Sequence, residues 1–194
     1  MQGVIQNSAD LLHWLSQELA TGAIRVETAI MGWGYEAAAE QNSATLEDWN
    51  QWLSAFRETE EMRSQSWQMG RSLLRLFSDL EPALAERLPK GMRQGNCNYA
   101  IAYGIVAQAW EMPLEVAGLA YLQSWAANLI SVGVRVVPLG QTEGQRLLRQ
   151  LTDPLQAAHA AIQTLTPADL TACSWGVSLA SMQHETQYSR LFRS

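Results

Sequence analysis

The feature of this sequence that most restricts its fold is the spacing of its apolar residues, which recur every three or four positions. Near the start, Leu11, Leu15 and Leu19 follow this spacing, which places them on one face of an α-helix. The same rhythm returns in the middle of the chain at Leu46, Trp49, Leu53, Phe56, Trp67, Gly70, Leu74 and Phe77. A β-branched run occurs only at 134–138, and a lone strand has nothing to pair with. We therefore predict an all-α fold, a single irregular domain of about eight helices.

Capping residues, glycines and prolines predict where these helices begin and end. Ser8 and Asp10 can cap the first helix, and Thr142 and Gln145 have the spacing of a capping box. Thr166 is a candidate cap followed by a proline, the arrangement that favours the start of a helix. The predicted helices run from about 10 to 22, 24 to 40, 45 to 77, 99 to 110, 113 to 132, 142 to 151, 153 to 165 and 167 to 182.

The long helix predicted from Thr45 to Phe77 has a charged interruption, where Glu60 and Arg63 occupy the apolar stripe. One interpretation is that the helix emerges into solvent, where its charges pair with each other three or four residues apart. The other is a partly buried ion pair or a polar contact with a neighbouring helix. The density of charges at 57–63 favours the first interpretation.

The balance of charges argues against nucleic acid as a partner. Thirteen Lys+Arg stand against nineteen Asp+Glu, a net charge of −6, and the cations form no basic block. Charged residues make up only 16% of the chain, below the roughly 25% of typical soluble domains, while 47% are hydrophobic. Such a chain either buries an unusually large share of itself or exposes apolar surface to partners.

The compartment is predicted from what the sequence lacks. The apolar stretch Val116–Val137 is long enough to span a membrane, but Gln123, Asn128 and Arg135 would be costly in hydrocarbon, which favours a buried helix. The first residues show no basic segment followed by an apolar run, so we predict no signal peptide. Two cysteines without a CxxC spacing indicate a reducing compartment. We expect a cytoplasmic protein that associates with no membrane.

No set of residues predicts catalysis. The three histidines are far apart, and His184, beside Glu185, is only a weak candidate for a transient metal site. Cys97 has no neighbouring base to lower its pKa, which favours a buried or loop cysteine over a reactive thiol. The chain also lacks a phosphate-binding glycine loop and a nucleophile elbow. We predict no enzyme activity, no catalytic residues and no tightly bound cofactor.

The strongest candidate for binding a partner is the C-terminal tail, residues 184–194. Frayed chain ends are usually small and polar, but this one carries Tyr188, Leu191 and Phe192 beside two arginines, which are residue types common at interfaces. Eight tryptophans are spread over most of the predicted helices. Most should be core residues, but Trp52 lies off the main apolar stripe, so an outward-facing ring is expected near Trp49 and Trp52.

Three segments of the chain resemble the family of urease accessory proteins called UreF. The longest and most specific is the C-terminal run 180–194, ASMQHETQYSRLFRS. The run 133–142, GVRVVPLGQT, is similar to a second family motif, and 56–63 followed by 70–74 to a third, weaker one. The resemblance extends in the family's order from about Asp10 to the end, and divides the chain into a UreF-like domain at 1–183 and the tail at 184–194. Family members usually begin with a further helical segment, and the resemblance implies that this sequence starts after it.

The resemblance implies an all-helical homodimer that binds UreD (also called UreH) and recruits the GTPase UreG. Together they would act on the urease apoprotein, handling nickel transiently and inserting it into the active site with GTP hydrolysis. The residues implied to face UreD are Glu185, Thr186, Tyr188, Ser189, Arg190, Leu191, Phe192 and Arg193. Arg135 would stand where the family has a basic residue that controls the GTPase, although a cation at a helix C-terminus also explains it.

Two alternative functions also fit the sequence. One is a generic helical scaffold for protein interactions, unrelated to nickel. The other is a small-molecule enzyme working from a helical pocket, which the missing catalytic residues make the weakest of the three.

Overall fold

A computed structural model describes residues 5–86, 88, 91–92, 95–137 and 139–187. Within these ranges every regular element is helical and no β-strand occurs, so the all-α prediction is confirmed. The described part contains ten α-helices and one 3-10 turn, somewhat more than the eight helices predicted. The helices are α1 (Ser8–Thr21), α2 (Ala23–Ala39), α3 (Ser43–Phe56), α4 (Glu60–Leu80), α5 (Pro82–Ala85), α6 (Tyr99–Ala109), α7 (Leu114–Val136), α8 (Gln141–Gln150), α9 (Thr152–Ile162) and α10 (Trp175–Glu185), with the 3-10 turn at Pro167–Asp169.

These helices form two compact units. Unit 1 comprises Met1–Ala29 and Gly118–Ser174, and unit 2 comprises Ile30–Ala117 and Trp175–Ser194. The boundaries fall within α2 and α7, so each of these helices contributes residues to both units.

Unit 1 is built on α1, which packs against α8 and α9. Leu11, Leu15 and Leu19 are all buried, as their spacing predicts. The buried His159 of α9 lies against Gly118 of α7, where a Cβ atom would overlap the imidazole ring. This histidine is therefore a packing residue of the unit.

Unit 2 is built on α6, whose small residues let other helices approach closely. Seven of its eleven residues are buried, and a Cβ at Gly104 would overlap the carbonyl oxygen of Met31 in α2. α4 packs along α6 and buries Leu74 and Phe77. The alanine-rich helix predicted at 99–110 is thus confirmed, and close helix packing is the reason for its composition.

The prediction of one long helix from Thr45 to Phe77 is wrong, because the chain leaves the helical conformation between α3 and α4. Arg57 is the C-cap of α3 with extended backbone, and Thr59 is the N-cap of α4. The Thr59 hydroxyl accepts a hydrogen bond from Met62 N–H at 3.2 Å. Apolar periodicity continues across the break, since both helices pack on the same core, and only the cap residue marks the interruption.

Three predicted caps also differ from the structure. Asn7 caps α1 in place of Ser8 or Asp10, accepting the Asp10 N–H at 3.0 Å. Gly140 precedes α8 with no side-chain cap, so the capping box expected at Thr142 is absent. Thr166 does form a capping box, but it opens only the 3-10 turn, and the last helix begins later, at Trp175. These errors follow from the many short polar side chains near each helix start, several of which fit the same pattern.

The β-branched run at 134–138 ends a helix, as predicted. α7 extends to Val136, four residues beyond the predicted end, and Val137 N–H still bonds to the Gly133 carbonyl at 2.8 Å. Pro138 lies outside the described residues. Among the described helices, α7 included, none combines the length and apolarity that a membrane crossing requires.

Candidate protein-interaction surface

The end of α10 lies against the start of α4, which joins two of the segments that carry the family resemblance. The hydroxyls of Thr59 and Ser181 share a hydrogen bond of 2.7 Å. The Glu61 N–H donates to Glu185 Oε1 at 2.9 Å, and His184 Nδ1 lies 2.7 Å from Glu61 Oε2. Three contacts within five residues of α10 therefore hold this end of the helix in place.

The backbone chemistry of α4 explains why these residues meet. The first N–H groups of a helix have no partner inside it, and the positive end of the helix dipole attracts anions. Thr59 satisfies one of these groups, and the carboxylate of Glu185 satisfies the one on Glu61. Glu185 thus acts as a second cap of α4, supplied from a helix more than a hundred residues away along the chain.

The charged interruption at 60–63 is a contact between helices as well as a solvated segment. Glu61 meets His184 of α10, which corresponds to the alternative interpretation of this segment, a polar contact with a neighbour. The Arg63 guanidinium carbon lies 5.8 Å from the centre of the Trp67 ring, one turn further along α4. Glu60 is exposed to solvent.

We expect His184→Ala to lower the free energy of unfolding only slightly, by up to about 1 kcal/mol. The histidine and carboxylate side chains are 40% and 26% exposed, so water screens the pair. Urea denaturation followed by circular dichroism would measure the change. His13→Ala is the matched control, because His13 is also a helical histidine and is exposed. Equal stability of both variants would show that the His184–Glu61 contact contributes nothing.

One side of α10 presents a row of apolar side chains to solvent. Trp175, Leu179 and Met182 are 74%, 51% and 44% exposed, and their spacing of four and three residues places them on one face. Ser178, beside this row, is buried, and Ser181, further round the helix, bonds to Thr59. We call the three exposed residues the C-terminal apolar face. It has the composition of a binding surface.

The residues predicted to face UreD lie at the end of α10 and beyond it. Glu185 is half-buried at the start of α4, and Thr186 is exposed, its hydroxyl donating to the Gln183 carbonyl at 3.0 Å. The first two residues of the predicted tail, 184 and 185, belong to α10. The remaining residues predicted to face UreD lie outside the described residues: Tyr188, Ser189, Arg190, Leu191, Phe192 and Arg193.

Arg135 lies in unit 1, in the last turn of α7, and is exposed. Its neighbours on the helix surface include Val132, 52% exposed, while Val136 beside it is 78% exposed. A cation here is favoured by the negative end of the helix dipole. A cation beside two exposed valines is also a combination typical of surfaces that bind other proteins.

A buried asparagine pair is the feature that sequence reasoning missed. The Asn98 N–H donates to Asn50 Oδ1 at 2.8 Å, and the Asn98 amide donates to the Asn50 carbonyl at 2.9 Å and to Ser54 Oγ at 2.8 Å. Asn50 Nδ2 in turn donates to the Asn96 carbonyl at 2.7 Å. We call this network the asparagine clamp; it ties the segment before α6 to α3. An asparagine directly before a helix suggests a cap, but Asn98 makes no side-chain cap bond.

Cys97, between Asn96 and Asn98, is fully buried, which agrees with the prediction of a buried or loop cysteine. Burial raises the pKa of its thiol to about 12, so the nucleophilic thiolate is not populated near neutral pH. Among the described residues, no three His, Cys, Asp or Glu side chains come together as a metal-binding group, and that includes the surroundings of His184.

Comparison with known proteins identifies relatives along nearly the whole chain. The sequence profile of the UreF family matches residues 5–152. The urease accessory protein UreF of Nostoc sp. (strain PCC 7120) is 53% identical over 193 residues, which cover 99% of this chain and 83% of the relative. The protein of the same description in Microcystis aeruginosa is 50% identical, covering 100% and 85%. That of Alkalilimnicola ehrlichii is 35% identical, covering 99% and 83%.

Proposed function

This chain belongs to the UreF family of urease accessory proteins, and from that membership we propose that it is a non-enzymatic adaptor in urease maturation. In this role it binds UreD (UreH) and recruits the GTPase UreG. The assembled complex delivers nickel, as cargo, to the active site of the urease apoprotein with GTP hydrolysis. The protein works as a homodimer in the cytoplasm. The observation that carries the proposal is the 53% identity to a urease accessory protein over 99% of the chain.

The surface chemistry of unit 2 supports a role in binding. The C-terminal apolar face is exposed on α10, the helix that leads directly into the tail. Glu61, Thr59 and Ser181 hold the end of this helix, so the tail starts from a fixed position. An anchored helix end lowers the entropy lost when a following segment docks on a partner.

The chemistry of the described residues also supports an adaptor over an enzyme. The thiol of Cys97 is buried, and burial raises its pKa. His159 is packed against α7 and His184 is paired with Glu61.

The direct test is maturation of urease in a cell whose own copy of this gene is deleted. Urease purified from the deletion strain should contain little nickel, and a plasmid encoding this chain should restore both the nickel content and the activity. Tagged UreD and UreG should each co-purify with the chain, UreG only when UreD is present. Full nickel loading of urease in the deletion strain would contradict the proposal and favour a scaffold unrelated to nickel.

We predict that Arg135→Ala alters the coupling to the GTPase without unfolding the protein. Losing a cation at a helix C-terminus costs about 0.3–1 kcal/mol, so the melting temperature should hardly change. The loss of a coupling contact, in contrast, should change the affinity for the GTPase about fivefold or more, and activation should change with it. GTP-dependent urease activation in a reconstituted mixture would measure this effect.

The matched control for that variant is Arg149→Ala, which removes an exposed arginine from the last turn of α8 in the same unit. Activation should stay normal in this control. If the two variants behave alike, Arg135 serves only the end of its helix. If Arg135→Ala is insoluble, its role is structural.

A further inference from the structure

Four aromatic rings of α2 and α3 follow one another in a row on unit 2. The ring centres of Trp33 and Trp49 are 4.7 Å apart, those of Trp49 and Trp52 6.3 Å, and those of Trp52 and Phe56 5.3 Å. The last pair is nearly parallel, with 13° between the planes. Trp52 is 36% exposed and the other three are half-buried. We call these four residues the aromatic ladder.

Three rings of the aromatic ladder belong to α3, and they follow one another with spacings of three and four residues. Leu46, Asn50 and Leu53 are the buried residues of this helix. Trp49 and Phe56 lie at the edge of that buried face and are half-buried, whereas Trp52 lies off it and is the most exposed of the rings. Large aromatic side chains left partly in solvent have the composition of a binding surface.

The segment of sequence that carries the aromatic ladder has charges of one sign. Between residues 26 and 56 the sequence contains no Lys, Arg or His. Within the unit 2 part of this stretch, the acidic residues Glu36, Glu40, Glu47 and Asp48 are all exposed. Asp48 lies four residues before Trp52 and Glu36 three residues after Trp33, positions that share a helix face with those rings. Arg57, the first cation beyond, is half-buried and has a contact of its own.

Aromatic rings next to exposed carboxylates favour the binding of a planar cation. The faces of aromatic rings attract guanidinium ions, which also stack on them, and carboxylates bind the same ions through paired hydrogen bonds. Negative phosphates of nucleic acids or lipids would be repelled by the four exposed carboxylates. A neutral apolar segment would gain no binding energy from these carboxylates.

The spacing of the rings fits side chains on a helix. Residues three or four apart on a helix lie about 5–6 Å from each other, close to the steps between the rings. We propose that the aromatic ladder is the docking surface for an arginine-bearing helix of a partner protein, with a guanidinium stacked on Trp52 and paired with Asp48. None of its residues belongs to the C-terminal apolar face. The proposal also stands independently of the role in urease maturation.

The test measures binding of designed peptides to the full chain by calorimetry. The probe is a helical peptide of about 16 residues with arginine at every fourth position, roughly four turns long. Two twins of the same length carry lysine or glutamate at those positions. The arginine peptide should bind, the lysine twin more weakly because it cannot stack, and the glutamate twin not at all.

Substitutions in the protein locate the binding site. Trp52→Ala should weaken the arginine peptide about tenfold, and Asp48→Asn about threefold at low salt. Trp110→Ala is the matched control, because Trp110 is more exposed, at 45%, but lies outside the aromatic ladder. Asp79→Asn, on α4, is the control for charge. Both controls should bind the peptide as the unchanged protein does.

A second measurement identifies which kind of segment contacts Trp52 in cells. A photoreactive phenylalanine analogue in place of Trp52 should crosslink, in cells, to a segment with at least two arginines within about two helical turns. A crosslink to an acidic or purely apolar segment, or no crosslink to another protein, would overturn the proposal. Unchanged peptide binding by Trp52→Ala, or equal binding of the glutamate twin, would overturn it as well.

Discussion

Replacing Gly70 with alanine should destabilise the protein by about 3 kcal/mol or more, a large part of the roughly 5–15 kcal/mol typical of a folded domain. Gly70 is where α4 touches the segment before α6, and a Cβ there would overlap the Cys97 carbonyl oxygen and lie 2.9 Å from the Asn98 carbonyl carbon. Both obstacles are backbone atoms, so no side-chain rotation relieves the overlap. Moving the segment would strain the asparagine clamp, whose buried groups cost about 1–3 kcal/mol each when left without a partner.

The expected loss of stability is opposite to the usual effect of this substitution, because alanine normally stabilises a helix relative to glycine by about 1 kcal/mol. Gly32→Ala in α2 is the matched control, since the added Cβ meets only Leu114 Cδ1 at an ordinary 3.8 Å. That variant should be as stable as the unchanged protein or slightly more so. Thermal and urea unfolding of the two variants would measure the difference. A Gly70→Ala protein with unchanged stability would show that the 97–98 segment can move aside freely.

Deleting Tyr188–Ser194 should weaken binding to UreD by about 100-fold or more, which amounts to loss of binding in a pull-down. The deletion removes Tyr188, Leu191 and Phe192, which a helix would place on one face. Each could contribute about 1.5–3 kcal/mol when buried against a partner, less the cost of ordering the segment. The free energy of unfolding should change by less than about 1 kcal/mol, because the contacts of α10 with Thr59 and Glu61 remain.

Surface plasmon resonance with immobilised UreD would quantify the loss. Leu191→Ala with Phe192→Ala should reproduce most of it, whereas Ser189→Ala is a control within the same segment and should bind normally. Normal binding by the truncated protein would show that the tail is only a chain end. Unfolding of the truncated protein would place the tail in the core of unit 2.

The sequence determined the fold class and most of the helices, because those signals are local. The stripe of Leu11, Leu15 and Leu19 on α1 lies within two or three turns, and the small-residue pattern of α6 lies within eleven residues. The outward position of Trp52 also followed from its place off the apolar stripe. Short-range spacing decides which face of a helix is apolar, and an apolar face must be covered.

Only the tertiary structure decided how the surface of unit 2 is organised. Thr59 and Ser181 are 122 residues apart, and Glu61 and His184 are 123 apart. The Asn98–Asn50 contact spans 48 residues. Hydrogen bonds between small polar side chains leave no periodic trace in a sequence, because one Thr, Ser or Asn at a helix end fits many partners equally well. Which pairs form depends on the packing of α4, α6 and α10, and that packing is set by the summed burial of many apolar residues across the whole unit.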